Sequence, residues 1–94
     1  MPGQILYNKG MAEPKITIYS ASWCAFCKMA KNYLDSKHVP YKEIDVDHDH
    51  DAARTIFAKT GQAGVPVIEI GDATILGFDR PRIDSALAQY NLAT

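Results

Sequence analysis

Both cysteines of the chain stand in one pentapeptide, Trp23-Cys24-Ala25-Phe26-Cys27, where a strand-like run ending Ile16-Thr17-Ile18-Tyr19 gives way to a helical pattern near Lys28. Two residues between sulfurs, at the first turn of a helix, let them close a small disulfide ring. The first sulfur then stays exposed at the positive end of the helix dipole. Dithiol redox chemistry needs that arrangement. A ring this short removes little entropy from the unfolded chain, so the pair is a poor structural staple and reads as catalytic or metal-binding.

The surrounding pattern gives the pair a setting. Lys15 to Ser20 reads as a buried strand, and Met29, Ala30, Tyr33 and Leu34 share one face of a helix from about Cys24 to Lys37. After Pro40, the alternation of Tyr41 to Val46 predicts a second strand. Ala52, Ala53, Ile56 and Phe57 mark a second helix, capped by Asp49 or His50 and stopped near Gly61. Val65 to Ile70 and Thr74 to Leu76 flank the turn signal Gly71-Asp72 and predict an antiparallel hairpin. Asp79 then caps a last helix whose inner face is Ile83, Ala86, Leu87 and Tyr90, with Pro81 tolerated in its first turn. Residues 1–13 show no sustained period and are expected to form an N-terminal extension to a single domain over 14–94.

Composition excludes several classes of function. The 94 residues are 47% hydrophobic, enough for one core and no independent second module. Ten basic against eleven acidic residues leave a net charge of -1, so no global field recruits nucleic acid or an anionic membrane. No run approaches the ~20 apolar residues of a membrane span. Ile5-Leu6-Tyr7 is too short for a signal-peptide core. A monomer in the cytoplasm, recognising its partners locally, is the expectation.

Disulfide exchange proceeds through a thiolate, whereas a free thiol titrates near ~8.5. Cys24 is the candidate nucleophile, because the unpaired N–H groups of a helix start, including that of Cys27, stabilise a sulfur anion. Lys28 and Lys31 add weakly favourable charge. Cys27, one turn deeper and less exposed, is the resolving thiol that breaks the mixed disulfide on Cys24. Phe26 is expected to point outward as an apolar contact for the incoming disulfide, and Trp23 to stand on the substrate-facing rim. Met29 reads as packing, and Phe78 as core or groove with a lean to the groove.

With Trp23-Cys24-Ala25-Phe26-Cys27, Val65-Pro66 and Gly77-Phe78-Asp79 in this order, the chain resembles the glutaredoxin-like redoxins from about Lys15 to Leu92. The resemblance implies an α/β thioredoxin fold: a mixed four-stranded sheet in the order β-α-β-α-β-β-α, flanked by three helices. It also implies a cis-Pro66 against the cysteine pair, with Val65 offering its backbone to an extended substrate. Gly77, Phe78 and Asp79 complete the implied substrate groove. The implied activity is thiol-disulfide oxidoreduction, with no bound cofactor and with glutathione as one possible reductant. The implied partners are a disulfide-containing protein or a glutathione mixed disulfide, and a reductase.

Departures from the family pattern bear on the electron donor. Glutathione users typically carry a lysine three positions before the first cysteine, Pro-Tyr between the cysteines, Thr before Val-Pro and Gly-Gly before the last helix. Here the positions read Ala21, Ala25-Phe26, Gly64 and Leu76-Gly77. Asp79 remains where the family places a ligand for the γ-glutamyl amine. Gly77-Phe78 followed by Pro81 resembles instead the NrdH-type redoxins, which are reduced by thioredoxin reductase and often serve ribonucleotide reductase.

A non-enzymatic reading stands beside these: a redox-responsive module, or a metal or cluster carrier on the same fold. The chain offers His38, His48 and His50 beside the cysteines. Structural zinc usually draws on two spaced ligand pairs, which weighs against such a site. The run Asp45 to Asp51, with His48 and His50, reads as a solvated, acid-rich helix start.

Overall fold

The computed structural model describes residues 15–62 and 64–90, so the extension assigned to residues 1–13 lies outside the described residues. Strand β1 (Ile16–Ser20) runs into helix α1 (Ala25–Ser36), then β2 (Lys42–Asp45) and α2 (His50–Thr60). The hairpin β3 (Val67–Ile70) and β4 (Ala73–Leu76) follows, and α3 (Arg80–Gln89) ends the described chain. The sheet order is β2-β1-β3-β4, with β1–β2 parallel and the other pairings antiparallel. This is the mixed four-stranded sheet with three helices that the sequence predicts, a thioredoxin fold.

Alternation along the strands divides the sheet into two faces. Ile16 and Ile18 of β1 and Ile68 and Ile70 of β3 turn to one side, where Ala30 and Leu34 of α1 and Ile83, Ala86 and Leu87 of α3 close a core. Glu69 turns to the other side and pairs with Lys59 of α2. Burying an Ile or Leu is worth roughly 1.5–3 kcal/mol. This cluster is therefore what holds the end of β1 against the start of α1.

The ends of the elements follow local chemistry. Of the two candidate caps for α2, Asp49 fills the role: its Oδ1 accepts the Ala52 N–H at 3.0 Å. Gly61 closes the helix at φ 76°, its N–H donating to Phe57 O at 2.8 Å. β3 begins at Val67 rather than Val65, because Pro66 has no N–H to donate to a ladder.

Two packing expectations are corrected. Phe57 is 54% exposed, and of the four residues assigned to the inner face of α2 only Ile56 is fully buried. The inward line of α2 is one residue wide, and Phe57 lies about 100° around the helix from it. Met29 is 47% exposed for the same reason, since Cys27, Ala30 and Leu34 occupy the inward stripe of α1.

Candidate functional site

The two sulfurs are placed by the first turn of α1. Cys24 is its N-cap, in extended conformation, and its Sγ accepts the Cys27 N–H at 3.1 Å. A cysteine thus does what Ser or Asp does at other helix starts, which directs an unpaired donor and the helix dipole at the sulfur. The Cys24 backbone is fixed on both sides: its N–H donates to Ala21 O at 3.2 Å, and its carbonyl accepts the Lys28 N–H at 3.3 Å. Both cysteines are free thiols.

The loop before β3 supplies the opposite wall. The Cys24 thiol donates to Val65 O at 3.8 Å, and Pro66, cis to Val65, is fully buried. Ala21, Cys24 and Cys27 form a small apolar cluster on which Val46 and Val65 pack. The Gly77 N–H donates to Pro66 O at 2.8 Å, bringing the start of the α3 approach beside the proline.

Burial separates the two thiols less than expected. Cys27 is 1% exposed and Cys24 only 7%, which corrects the expectation of an open first sulfur. Ala21 and Val65 cover it. Cys24 instead borders a surface hollow of about 360 Å³ lined by Ser22, Trp23, Ala25, Lys28, Met29 and Asn32. Trp23, 72% exposed, stands on its rim, and Phe26, 61% exposed and outside the lining, is an outward apolar surface of the first turn of α1. Burial and the neighbouring Cys24 sulfur push the Cys27 thiol up to about 12, while the Ala21 backbone and Lys31 pull the other way.

Other sequence candidates fall elsewhere. Phe78 packs on the core with its ring edge-on to Tyr33, centroids 5.9 Å apart, which corrects the lean toward a groove residue. Gly77, which leads into it, bends the chain at φ 78°, and Phe78, half-buried, packs against the core beside Tyr33 of α1. Asp79 caps α3: its Oδ1 accepts the Arg82 N–H at 3.3 Å and its Oδ2 meets Arg82 Nε at 3.2 Å. Each of its oxygens thus has one partner, both from Arg82. Ala21, where glutathione users carry lysine, is buried at 4% exposure.

Three residues beside Cys27 form a cluster that sequence reasoning did not assemble. Ser20 Oγ donates to Glu43 Oε2 at 2.7 Å, and Lys31 Nζ meets the same oxygen at 2.7 Å. By sequence Lys31 is one of two weakly favourable charges near the pair. The missing signal is the parallel register, which sets Glu43 beside Ile18 and therefore on the face beneath α1.

The acidic run makes no second centre. A hollow of about 590 Å³ is lined by Lys42 to Asp45 and His48 to Asp51 along the sheet edge, and neither cysteine is in its lining. His48 Nδ1 pairs with Asp45 Oδ2 at 2.8 Å on an exposed surface. Among the described residues, no three His, Cys, Asp or Glu converge as a metal site requires. Among them, too, no helix is long and apolar enough to cross a membrane.

The family model described as glutaredoxin matches residues 16–75. The chain is 36% identical over 72 residues to an uncharacterized glutaredoxin-like 8.6 kDa protein of Clostridium pasteurianum, covering 77% of this chain and 96% of that one. It is 38% identical over 81 residues to the N-acetyl-S-hydroxy-L-cysteine reductase of Bacillus subtilis, covering 80% and 85% respectively. Among solved structures, the glutaredoxin-like NrdH-redoxin of Escherichia coli is similar, with TM-score 0.70 and 30% identity over 74% of this chain and 91% of that one. A cysteine pair opening a helix, the cis proline facing it and a family match across the sheet agree, and the chain belongs to the glutaredoxin family of the thioredoxin superfamily.

Proposed function

We propose that the protein is a thiol-disulfide oxidoreductase working through Cys24 and Cys27. The observation that carries this reading is the 3.1 Å hydrogen bond from the Cys27 N–H to Cys24 Sγ, which aims the helix start at one sulfur and buries the other behind it. The Cys24 thiolate attacks a substrate disulfide, forming a mixed disulfide and releasing the first thiol. Cys27 then loses its proton to solvent and attacks Cys24 Sγ, and the second substrate sulfur leaves as a thiol. Two electrons pass from the cysteine pair to the substrate. Val65 and Pro66 shape the wall along which an extended substrate segment lies, and Trp23 and Phe26 contact it. We assign the protein to the reducing cytoplasm, where such a pair is kept reduced.

The substrate is a disulfide-containing protein or a small-molecule disulfide. Similarity to a reductase named for an S-hydroxylated cysteine derivative supports small sulfur substrates. Glutathione is one candidate reductant. A second reading, an NrdH-type redoxin reduced by thioredoxin reductase and supplying ribonucleotide reductase, is favoured by the arrangement around Asp79. That carboxylate is engaged by Arg82, and no lysine stands at position 21 to take a tripeptide carboxylate.

NADPH-coupled turnover of hydroxyethyl disulfide tests both readings. It is run once with glutathione and glutathione reductase, and once with thioredoxin reductase. Turnover in either arm supports the oxidoreductase, and turnover confined to the second arm selects the NrdH-type reading. Silence in both arms, or stoichiometric zinc on the cysteines of dialysed protein, would overturn the enzyme assignment.

A further inference from the structure

The second half of the reaction faces a difficulty that the first does not. Cys27 must become an anion inside the fold, at 1% exposure, among Ala21, Val46 and Val65. Burying a charge among apolar groups is costly unless a compensating charge is near. In the reduced pair the thiol is pushed up to about 12, first by burial and then by the Cys24 sulfur, and in the mixed disulfide the burial remains.

A fixed cation lies one helical turn away. Lys31 follows Cys27 by four residues, and residues so spaced are neighbours on a helix face, with Cβ atoms roughly 5–6 Å apart. Its ammonium is held at 2.7 Å by Glu43 Oε2 from β2. That oxygen also accepts, at 2.7 Å, the hydroxyl of Ser20, which is 1% exposed at the end of β1. Ser20 immediately precedes Ala21, whose backbone also favours a charged Cys27 sulfur. Three elements therefore converge to keep one lysine in place.

We propose that Lys31, pinned by Glu43 and Ser20, is a positioning residue for the resolving step: it holds the positive charge against which the buried Cys27 sulfur ionises and attacks the mixed disulfide. The proposal rests on the assignment of Cys24 as nucleophile and Cys27 as resolving thiol. Bond changes are those of the exchange itself. The Cys27 proton goes to solvent, a Cys24–Cys27 bond forms, the bond from Cys24 to the substrate sulfur breaks, and the departing thiolate takes up a proton. The titratable groups that bear on Cys27 are Cys24 and Lys31 of α1. Glu43 of β2 faces Lys31, as does the Tyr41 phenol, itself raised by burial. The contacts from Ala21, Val46 and Val65 are apolar.

The pairing also keeps the lysine charged. The Glu43 hydrogen bond raises Lys31, and Lys31 followed by Ser20 holds Glu43 below the usual carboxylate range. Across neutral pH the ion pair does not titrate, so its influence on Cys27 is constant while the thiol responds to pH.

Stopped-flow release of thionitrobenzoate isolates the step. Reduced protein in slight excess over 5,5′-dithiobis(2-nitrobenzoate) releases one equivalent when Cys24 attacks and a second when Cys27 resolves. Removing a nearby cation raises a thiol. With a nucleophilicity coefficient of about 0.5, each unit of such a rise makes attack about threefold slower at neutral pH. Lys31→Met and Lys31→Gln are expected to slow the second release severalfold, to shift its pH profile upward, and to slow the first release less than the second. Lys31→Arg, which keeps the charge, is expected to restore both. A second phase with unchanged rate and pH profile in the folded Met and Gln variants would overturn the proposal. Loss of the first phase in Cys24→Ser checks the underlying assignment separately. If that variant kept its first release, the assignment of the nucleophile would fall instead.

Discussion

The Cys27 N–H donates to the Cys24 sulfur across 3.1 Å, so the resolving residue serves the nucleophile through its backbone before it acts through its side chain. The division of labour predicts different failures for the two serine variants. Cys24→Ser is expected to lower disulfide reduction by at least about a thousandfold, because a hydroxyl does not replace the thiolate as nucleophile. Cys27→Ser preserves the backbone donor and the first attack, and is expected to accumulate a covalent adduct on Cys24. Intact-mass analysis after exposure to a model disulfide reads the outcome directly: one adduct per chain in Cys27→Ser, none in Cys24→Ser.

The raised Cys27 thiol has a consequence for stability in alkali. An unfolded thiol ionises near ~8.5, whereas the folded one holds its proton to about 12. Between those values the folded state binds one proton more than the unfolded state, so stability falls as pH rises. Urea denaturation of the reduced protein from pH 8 to 11 is expected to show this decline. Comparison with Cys27→Ala removes the contributions of Tyr19 and Tyr41, whose phenols are also raised by burial. The expected signature is a shallower decline in the variant, and parallel curves would contradict it.

His48 and Asp45 predict a different window. Their hydrogen bond raises the imidazole and holds the carboxyl below the usual carboxylate range. The raised imidazole stabilises the fold below the ordinary histidine value, and this is lost as pH rises through its folded value. The lowered carboxyl stabilises it above the ordinary aspartate value, and this is lost as pH falls through its folded value. The pair therefore supports the fold most in mildly acidic solution. NMR titration of His48 should show its midpoint fall in Asp45→Asn. Because the pair is exposed, 1 M salt should remove most of the difference.

The order of elements was legible in the chain because each carries its own local signal: an apolar strand run in Lys15 to Ser20, a helical face that includes Ala30 and Leu34, Gly71-Asp72 between two apolar runs, and Asp79 before a helix. The cysteine pair was legible for the same reason, since its spacing and its helix start are adjacent in sequence. What was not legible depends on registration between distant segments. Glu43 looks like any strand acid until the parallel pairing with β1 sets it beside Ile18, within reach of Ser20 and Lys31. Phe78 reads as a groove aromatic until the fold brings the segment before α3 to α1, where its ring meets Tyr33. Met29 and Phe57 were misread because an apolar residue one position off a helical stripe cannot be told from one on it by type alone.

Gly71 and Gly61 allow a measurement of how the hairpin is tied to the last helix. Both sit at positive φ, 58° and 76°, where an alanine costs about 1 kcal/mol of backbone strain. Space around them differs. A Cβ on Gly61 would meet nothing within 4 Å, whereas one on Gly71 would fall 2.5 Å from the Tyr90 ring. Relieving that overlap moves the Tyr90 hydroxyl away from the Asp72 N–H, which donates to it at 3.1 Å. A lost hydrogen bond of this kind costs about 1 kcal/mol. Gly61→Ala is therefore expected to destabilise by about 1 kcal/mol and Gly71→Ala by about 2–3 kcal/mol. In a Tyr90→Ala background the ring and its hydroxyl are gone, so Gly71→Ala should cost only the backbone part, about 1 kcal/mol. Urea denaturation of the four Gly71 and Tyr90 combinations closes the cycle. Equal costs of Gly71→Ala with and without the Tyr90 ring would show that the turn and the end of α3 are not coupled through this contact.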